Sequence, residues 1–137
     1  MRITEASLEW LENPGIFQVN RIKAHSDHLF YEKETETSLK EKMPLRQYLN
    51  GEWSFSYSEN PDGREKDFYR EGYDISHFGR IQVPGHIQTQ GYDHMHYINT
   101  MYPWDGQEEL RPPRISREYN PVGSYVKEFE LEESLKG

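Results

Sequence analysis

The sequence predicts an all-β fold: an unfinished β-sandwich of few strands and long loops, preceded by an extended, largely irregular amino-terminal arm. Three observations predict it. Apolar residues alternate with small or polar ones in "LNGEWSFSY" (Leu49 to Tyr57), "GRIQV" (Gly79 to Val83) and "GSYVKEFELEE" (Gly123 to Glu133), the period-2 mark of strands with one buried face. Pro103, Pro112, Pro113 and Pro121 fall between the second and third of these stretches, where they forbid a long regular element. The apolar supply is thin: 34% of 137 residues, with 14% aromatic.

From the amino terminus, Ile3, Leu8, Trp10 and Leu11 are spaced for a short helix that stops at Asn13-Pro14-Gly15, a turn in which Pro fixes φ and Gly tolerates a positive one. From His25 to Pro44 the residues are largely charged and hold no period, as expected of an exposed arm whose Glu32, Glu34 and Glu36 form a solvated face. Asn50-Gly51 opens the first strand, with Trp53, Phe55 and Tyr57 inward. The second strand carries Ile81 and Val83 and closes at Pro84-Gly85. An extended loop from Tyr102 to Asn120 leads to the third, which alternates through Tyr125, Lys127, Phe129 and Leu131. Residues 1–45 therefore read as arm and linker, and 46–137 as the first part of a truncated sandwich.

Leu, Ile, Val and Phe together make up about a fifth of the chain, close to the level of roughly 20% below which a highly charged chain is disordered. The rings argue the other way, because each buries on the order of 150–250 Å². The balance suits part of a larger fold rather than a self-sufficient domain. A net charge of −8 disfavours nucleic acid, whose binders gather Lys and Arg against phosphates. With no cysteine, neither a disulfide framework nor a thiolate metal site can form. No apolar run approaches the roughly 20 residues of a membrane helix, and "MRITEASLEW" lacks a signal-peptide pattern. The expectation is a soluble, cytoplasmic chain with no membrane and no nucleic-acid partner.

Catalytic chemistry has few candidates. Glycoside hydrolysis commonly needs two carboxylates about 5–10 Å apart, and Glu108 and Glu109, adjacent in a loop, do not make a convincing pair. His94 and His96, with His86 upstream, have the spacing of two rings on one strand face. A metal wants further ligands, so hydrogen-bonded histidines are the simpler reading, and no metal site is expected. His25 and His28 lie in the polar arm. Nucleophile-elbow, phosphate-loop and dinucleotide patterns are absent.

The remaining signal is "MHYINTMYPWDG", Met95 to Gly106. Sugar rings lay apolar C–H faces on aromatic rings, and their hydroxyls suit an amide that both donates and accepts. Asn99 among Tyr97, Tyr102 and Trp104 suits such recognition. Spacing alone favours a set of core or interface rings with Asn99 as a turn former.

The ordered blocks "ENPGIFQVNR", "LNGEWSFSY", "IQVPGHIQTQGYD", "YINTMYPWDG", "PP" and "NPVGSYVKEFEL" resemble the amino-terminal, sugar-binding-domain portion of bacterial β-galactosidases of glycoside hydrolase family 2, over nearly the whole chain. The resemblance implies an incomplete jelly-roll, galactose-binding-like sandwich, followed in the family by an immunoglobulin-like domain and a barrel that carries the catalytic glutamates. It implies a β-galactoside such as lactose as substrate, cleaved with retention, no catalytic residue in this chain, and magnesium and sodium ions in the barrel. Asn99 matches the family asparagine that reaches the galactosyl hydroxyls, with Tyr97, Tyr102 and Trp104 beside it. The partners implied are the remaining domains and further subunits, between which the arm would pack. Residues Trp104 to Glu109 are longer and more acidic than the family's usual loop, and Trp10 and Leu11 beside Asn13 carry no metal site over. A stand-alone carbohydrate-binding or subunit-complementing module, and an interaction segment that folds on a partner, are the alternative classes.

Overall fold

The computed structural model describes residues 7–26, 28–38, 45–95, 104–105 and 108–136. Helix α1, Leu8–Leu11, is a single turn. Ser7 caps it by accepting the Glu9 N–H at 3.2 Å, which satisfies one of the orphan donors of a helix start. It stops where expected: Asn13 Oδ1 accepts from Gly15 N at 2.9 Å and the Asn13 carbonyl from Ile16 N at 2.9 Å, closing the turn at Pro14.

Beyond Ile16 the described residues of the arm hold no regular element before a 3-10 turn at Glu34–Ser38. Phe17 and Ile22 are exposed. The arm's acidic face is not uniformly solvated, because Glu36 turns back to accept the N–H groups of Glu32 and Lys33 at 3.2 and 3.4 Å. Its carboxylate supplies the acceptor that this short turn lacks.

The strands are β1 (Gly51–Ser58), β2 (Gly79–Val83) and β3 (Val122–Val126), in one antiparallel sheet ordered β2-β1-β3. Gly51 takes φ +115°, a conformation open to glycine, and so turns the chain into β1. Register places Trp53 opposite Ile81, and Phe55 between Gly79 and Tyr125. Gly123 makes room for the Phe55 ring and Gly79 for the Tyr92 hydroxyl; the Phe55 ring packs at 4.6 Å centroid distance on both Tyr92 and Tyr125. Phe55 and Ile81 are 1% and 2% exposed and, with Phe78, form the core.

The opposite face differs from a solvated one. Ser54 and Ser124 are buried there. Ser54 accepts from Arg80 Nη1 at 2.9 Å, and Ser56 donates to Glu65 Oε1 at 3.2 Å. Glu65, brought over by the 59–78 connection, also accepts from Tyr73 OH at 2.6 Å and meets His77 Nε2 at 2.9 Å. Ser54 and Ser56 fit under this cover because their hydroxyls are satisfied, as buried polar groups require.

Side-chain amides finish two strand ends. Gln90 pairs with the free backbone of Gln82, accepting from its N–H at 2.7 Å and donating to its carbonyl at 3.0 Å, while Tyr92 OH donates to the Arg80 carbonyl at 2.9 Å. The outer edge of β2 is thereby covered. On the other side, the third strand ends at Val126 although the alternation runs on to Glu132. Here Gln47 donates to the Glu130 carbonyl at 2.7 Å and accepts from Glu132 N at 3.1 Å, and Lys127 Nζ donates to the Glu52 carbonyl at 2.8 Å. These bonds substitute for ladder bonds to β1, so period 2 persists without a strand.

The described residues from Trp104 to Pro121 hold no helix or strand, as the prolines require. Ser116, 0% exposed, organises them: its hydroxyl donates to Glu108 and accepts from Tyr119 N at 2.9 Å, and its carbonyl accepts from Asn120 Nδ2 at 3.2 Å. Asn120 N then donates to the Glu59 carbonyl at 2.9 Å, joining the loop to the end of β1.

Candidate functional site: the root of the aromatic loop

The covering of β2 leads directly into the site. After Val83 the chain makes a 3-10 turn at Gln88–Gln90 and reverses at Gly91, φ +87°. Tyr92 meets the Phe55 ring edge to face, and Asp93 follows it into the protein, its side chain 3% exposed. One oxygen of Asp93 accepts from Tyr119 OH at 2.6 Å and the other from Gln88 Nε2 at 3.1 Å. The His94 ring lies over the Tyr119 ring at 5.4 Å, with Nδ1 3.2 Å from the Tyr119 hydroxyl and 3.3 Å from Asp93.

Trp104 stands on the other side of the loop. Its indole N–H donates to the Tyr119 carbonyl at 2.6 Å, and its own carbonyl accepts from Glu108 N at 3.0 Å. Its φ is +74°, a left-handed conformation that a bulky residue adopts only where its surroundings hold it.

The electrostatics of this root are those of a fixed support. Burial pushes the Asp93 carboxyl up, but hydrogen bonds from Tyr119, the His94 N–H, Gln88 and Tyr57 outweigh it and hold the carboxyl below the usual range. Burial, then the hydrogen bond to Asp93 and its charge, push the Tyr119 phenol up. Tyr57 is raised as well, by burial first and then by the Asp93 charge. The proton therefore stays on tyrosine and the charge on aspartate throughout the neutral range. Such a pair is suited to holding position.

Of the residues singled out in the sequence, Tyr97, Asn99 and Tyr102 lie outside the described residues, as does His96. Trp104 is described, and its N–H is committed to the backbone of Tyr119. Glu108 is tied to Ser116 rather than paired with Glu109. Among the described residues no three His, Asp or Glu gather into a group that could hold a metal ion. Also among them, no helix is long and apolar enough to cross a membrane. Sequence reasoning missed Asp93, Tyr119, Gln88 and Tyr57. The only local signal is the block ending in "GYD" before the aromatic stretch, and it does not link Asp93 to the other three.

Residues 46–137 match the family model of the sugar-binding domain of glycosyl hydrolases family 2. The chain belongs to this family. It is 62% identical over 130 residues to a β-galactosidase of Clostridium acetobutylicum, a match that covers 95% of this chain and 14% of that relative. Identity to a β-galactosidase of Halalkalibacterium halodurans is 48%, over 96% of this chain and 13% of the relative. A β-galactosidase large subunit of Leuconostoc lactis is 40% identical, over 97% of this chain and 23% of the relative. The chain thus spans about an eighth to a quarter of the length of these curated relatives. Within the family 2 sugar-binding domain so defined, all three strands and the Asp93–Tyr119 pair fall inside the matched stretch, while α1 and the arm precede it. The all-β reading holds: one antiparallel sheet, with a single helical turn and 3-10 turns as the only helix among the described residues.

Proposed function

We propose that this chain serves as the sugar-binding-domain portion of a β-galactosidase that hydrolyses terminal non-reducing β-D-galactose residues, lactose included, with retention. The observation that carries the reading is the 62% identity to a β-galactosidase across 95% of the chain. The root geometry agrees with a binding role, because Tyr119 and Gln88 hold Asp93 in place by hydrogen bonds at the start of the aromatic loop. The catalytic glutamates belong to other parts of the enzyme. In this reading residues 1–45 are the arm and 46–137 the sandwich segment. Asn99 contacts the galactosyl hydroxyls, with Tyr97, Tyr102 and Trp104 presenting rings to the sugar. The family resemblance implies magnesium and sodium ions, which this reading assigns to the barrel.

The partners are the remaining domains of the same enzyme and further subunits, in the cytoplasm. Two relatives, from Leuconostoc lactis and Latilactobacillus sakei, bear the name of large subunits, which supports an assembly of more than one chain. The test is galactose release from lactose by the polypeptide of the complete reading frame, set beside the 137-residue chain alone. Turnover by the former and none by the latter is expected. Hydrolysis by the short chain, or none by the long one, contradicts the proposal.

A further inference from the structure

Tyr119 touches both sides of the aromatic loop. Its hydroxyl donates to Asp93 at 2.6 Å where the chain enters, and its carbonyl accepts the Trp104 indole N–H at 2.6 Å where the chain leaves. The sequence between those anchors carries Asn99.

The holder is itself held. Tyr119 N–H donates to the fully buried Ser116, and the next residue, Asn120, donates to the Glu59 carbonyl just past the end of β1. Asp93 is fixed from behind by Gln88. Trp104 keeps a left-handed backbone, which the bond to Tyr119 helps secure. Hydrogen bonds and the Tyr119–Asn120 peptide link therefore connect Glu59, next to the central strand, to both anchors.

We infer that Tyr119 is a positioning residue for sugar recognition: with Asp93 and Trp104 it sets the spacing and direction of the two ends of the loop, so that Asn99 meets the sugar from a prepared frame. The inference rests on the reading that Asn99 contacts the galactosyl group. Preorganisation of this kind removes ordering that binding would otherwise have to supply. Small displacements of a contacting group are costly to rate, because a shift of about 1 Å can lose about a hundredfold.

The test is a set of kcat and KM measurements on an aryl β-galactoside, made in the full-length protein. Tyr119→Phe and Asp93→Asn are each expected to lower kcat/KM about tenfold, in line with the loss of one charge-assisted hydrogen bond. Asp93→Asn is nearly isosteric and carries the test if Tyr119→Phe fails to fold. The decisive comparison adds each to Asn99→Ala. A positioning residue costs nothing further once the group it positions is gone, whereas a general structural role costs the same factor in both backgrounds. Tyr69→Phe, which removes an exposed phenol bonded to Asp67 at 3.1 Å, should leave kcat/KM unchanged. If Asn99→Ala is silent, the Asn99 reading fails and the inference falls with it. If Asn99→Ala is impaired while both root variants are silent, or if the losses multiply, the inference alone is overturned.

Discussion

The Tyr119 hydroxyl lies 2.6 Å from the Asp93 carboxylate across 26 positions of sequence. That bond joins the segment after β2 to the segment before β3, and with the Trp104 indole bond to the Tyr119 carbonyl it ties both ends of the loop that carries Asn99 to one residue. Short phenol-to-carboxylate bonds of this sort are charge-assisted and roughly twice as strong as neutral ones.

The sign of the pH dependence follows from the two carboxylates that the fold depresses. Asp93 is lowered net of burial by its four donors, and Glu65 by Tyr73, His77 and Ser56. A depressed carboxyl contributes stability above its unfolded pKa of about 4, and that contribution is lost as pH falls through the folded value. Tyr119 and Tyr73 are raised, so their contribution is present below about pH 10 and lost above it. Hydrogen exchange across residues 88–95, followed from pH 7 downward and corrected for intrinsic rates, should show protection falling only below about pH 4. Asp93→Asn should remove much of that dependence. Protection independent of pH in the unaltered protein contradicts the assignment.

Core variants test the sheet. Phe55→Ala deletes a ring that is 1% exposed and packed on Tyr92 and Tyr125, at an expected cost of about 3–5 kcal/mol. Gly123→Ala places a Cβ 2.7 Å from Phe55 Cε2, where overpacking costs about 1–3 kcal/mol. Denaturant melts of the full-length protein check both. A Gly123→Ala protein as stable as the original would show that Phe55 has room to move.

Much of this was legible in advance, and the limits are physical. Gly51, Pro84 and the alternation through Phe55 marked β1 and β2 because turn chemistry and period 2 are local signals. Alternation overran β3 by several residues because Gln47, far off in sequence, takes the backbone of Glu130 and Glu132. The buried serine face of β1 was missed for a related reason: nothing local says that Glu65 will fold over Ser56. The root escaped notice because Asp93 and Tyr119 share no spacing pattern, and Tyr119 sits in a proline-rich stretch that reads as plain loop. Resemblance singled out Asn99; only the fold brought forward what flanks it.

The slight core carries its own expectation. Among the described residues the buried apolar side chains are Phe55, Phe78 and Ile81, few for a chain of this length. The 137-residue chain by itself should unfold over a broad range without a cooperative transition. A sharp thermal transition, raised further by added lactose, would instead mark a self-sufficient sugar-binding module.

The most direct measurement is kcat/KM for lactose in the full-length protein before and after Asn99→Ala. The account predicts a loss of about 2–4 kcal/mol in transition-state binding, roughly thirtyfold to a thousandfold, if contacts to the sugar hydroxyls tighten as the bond breaks. An unchanged kcat/KM contradicts the role given to Asn99 and, with it, the purpose assigned to the Asp93–Tyr119 anchor.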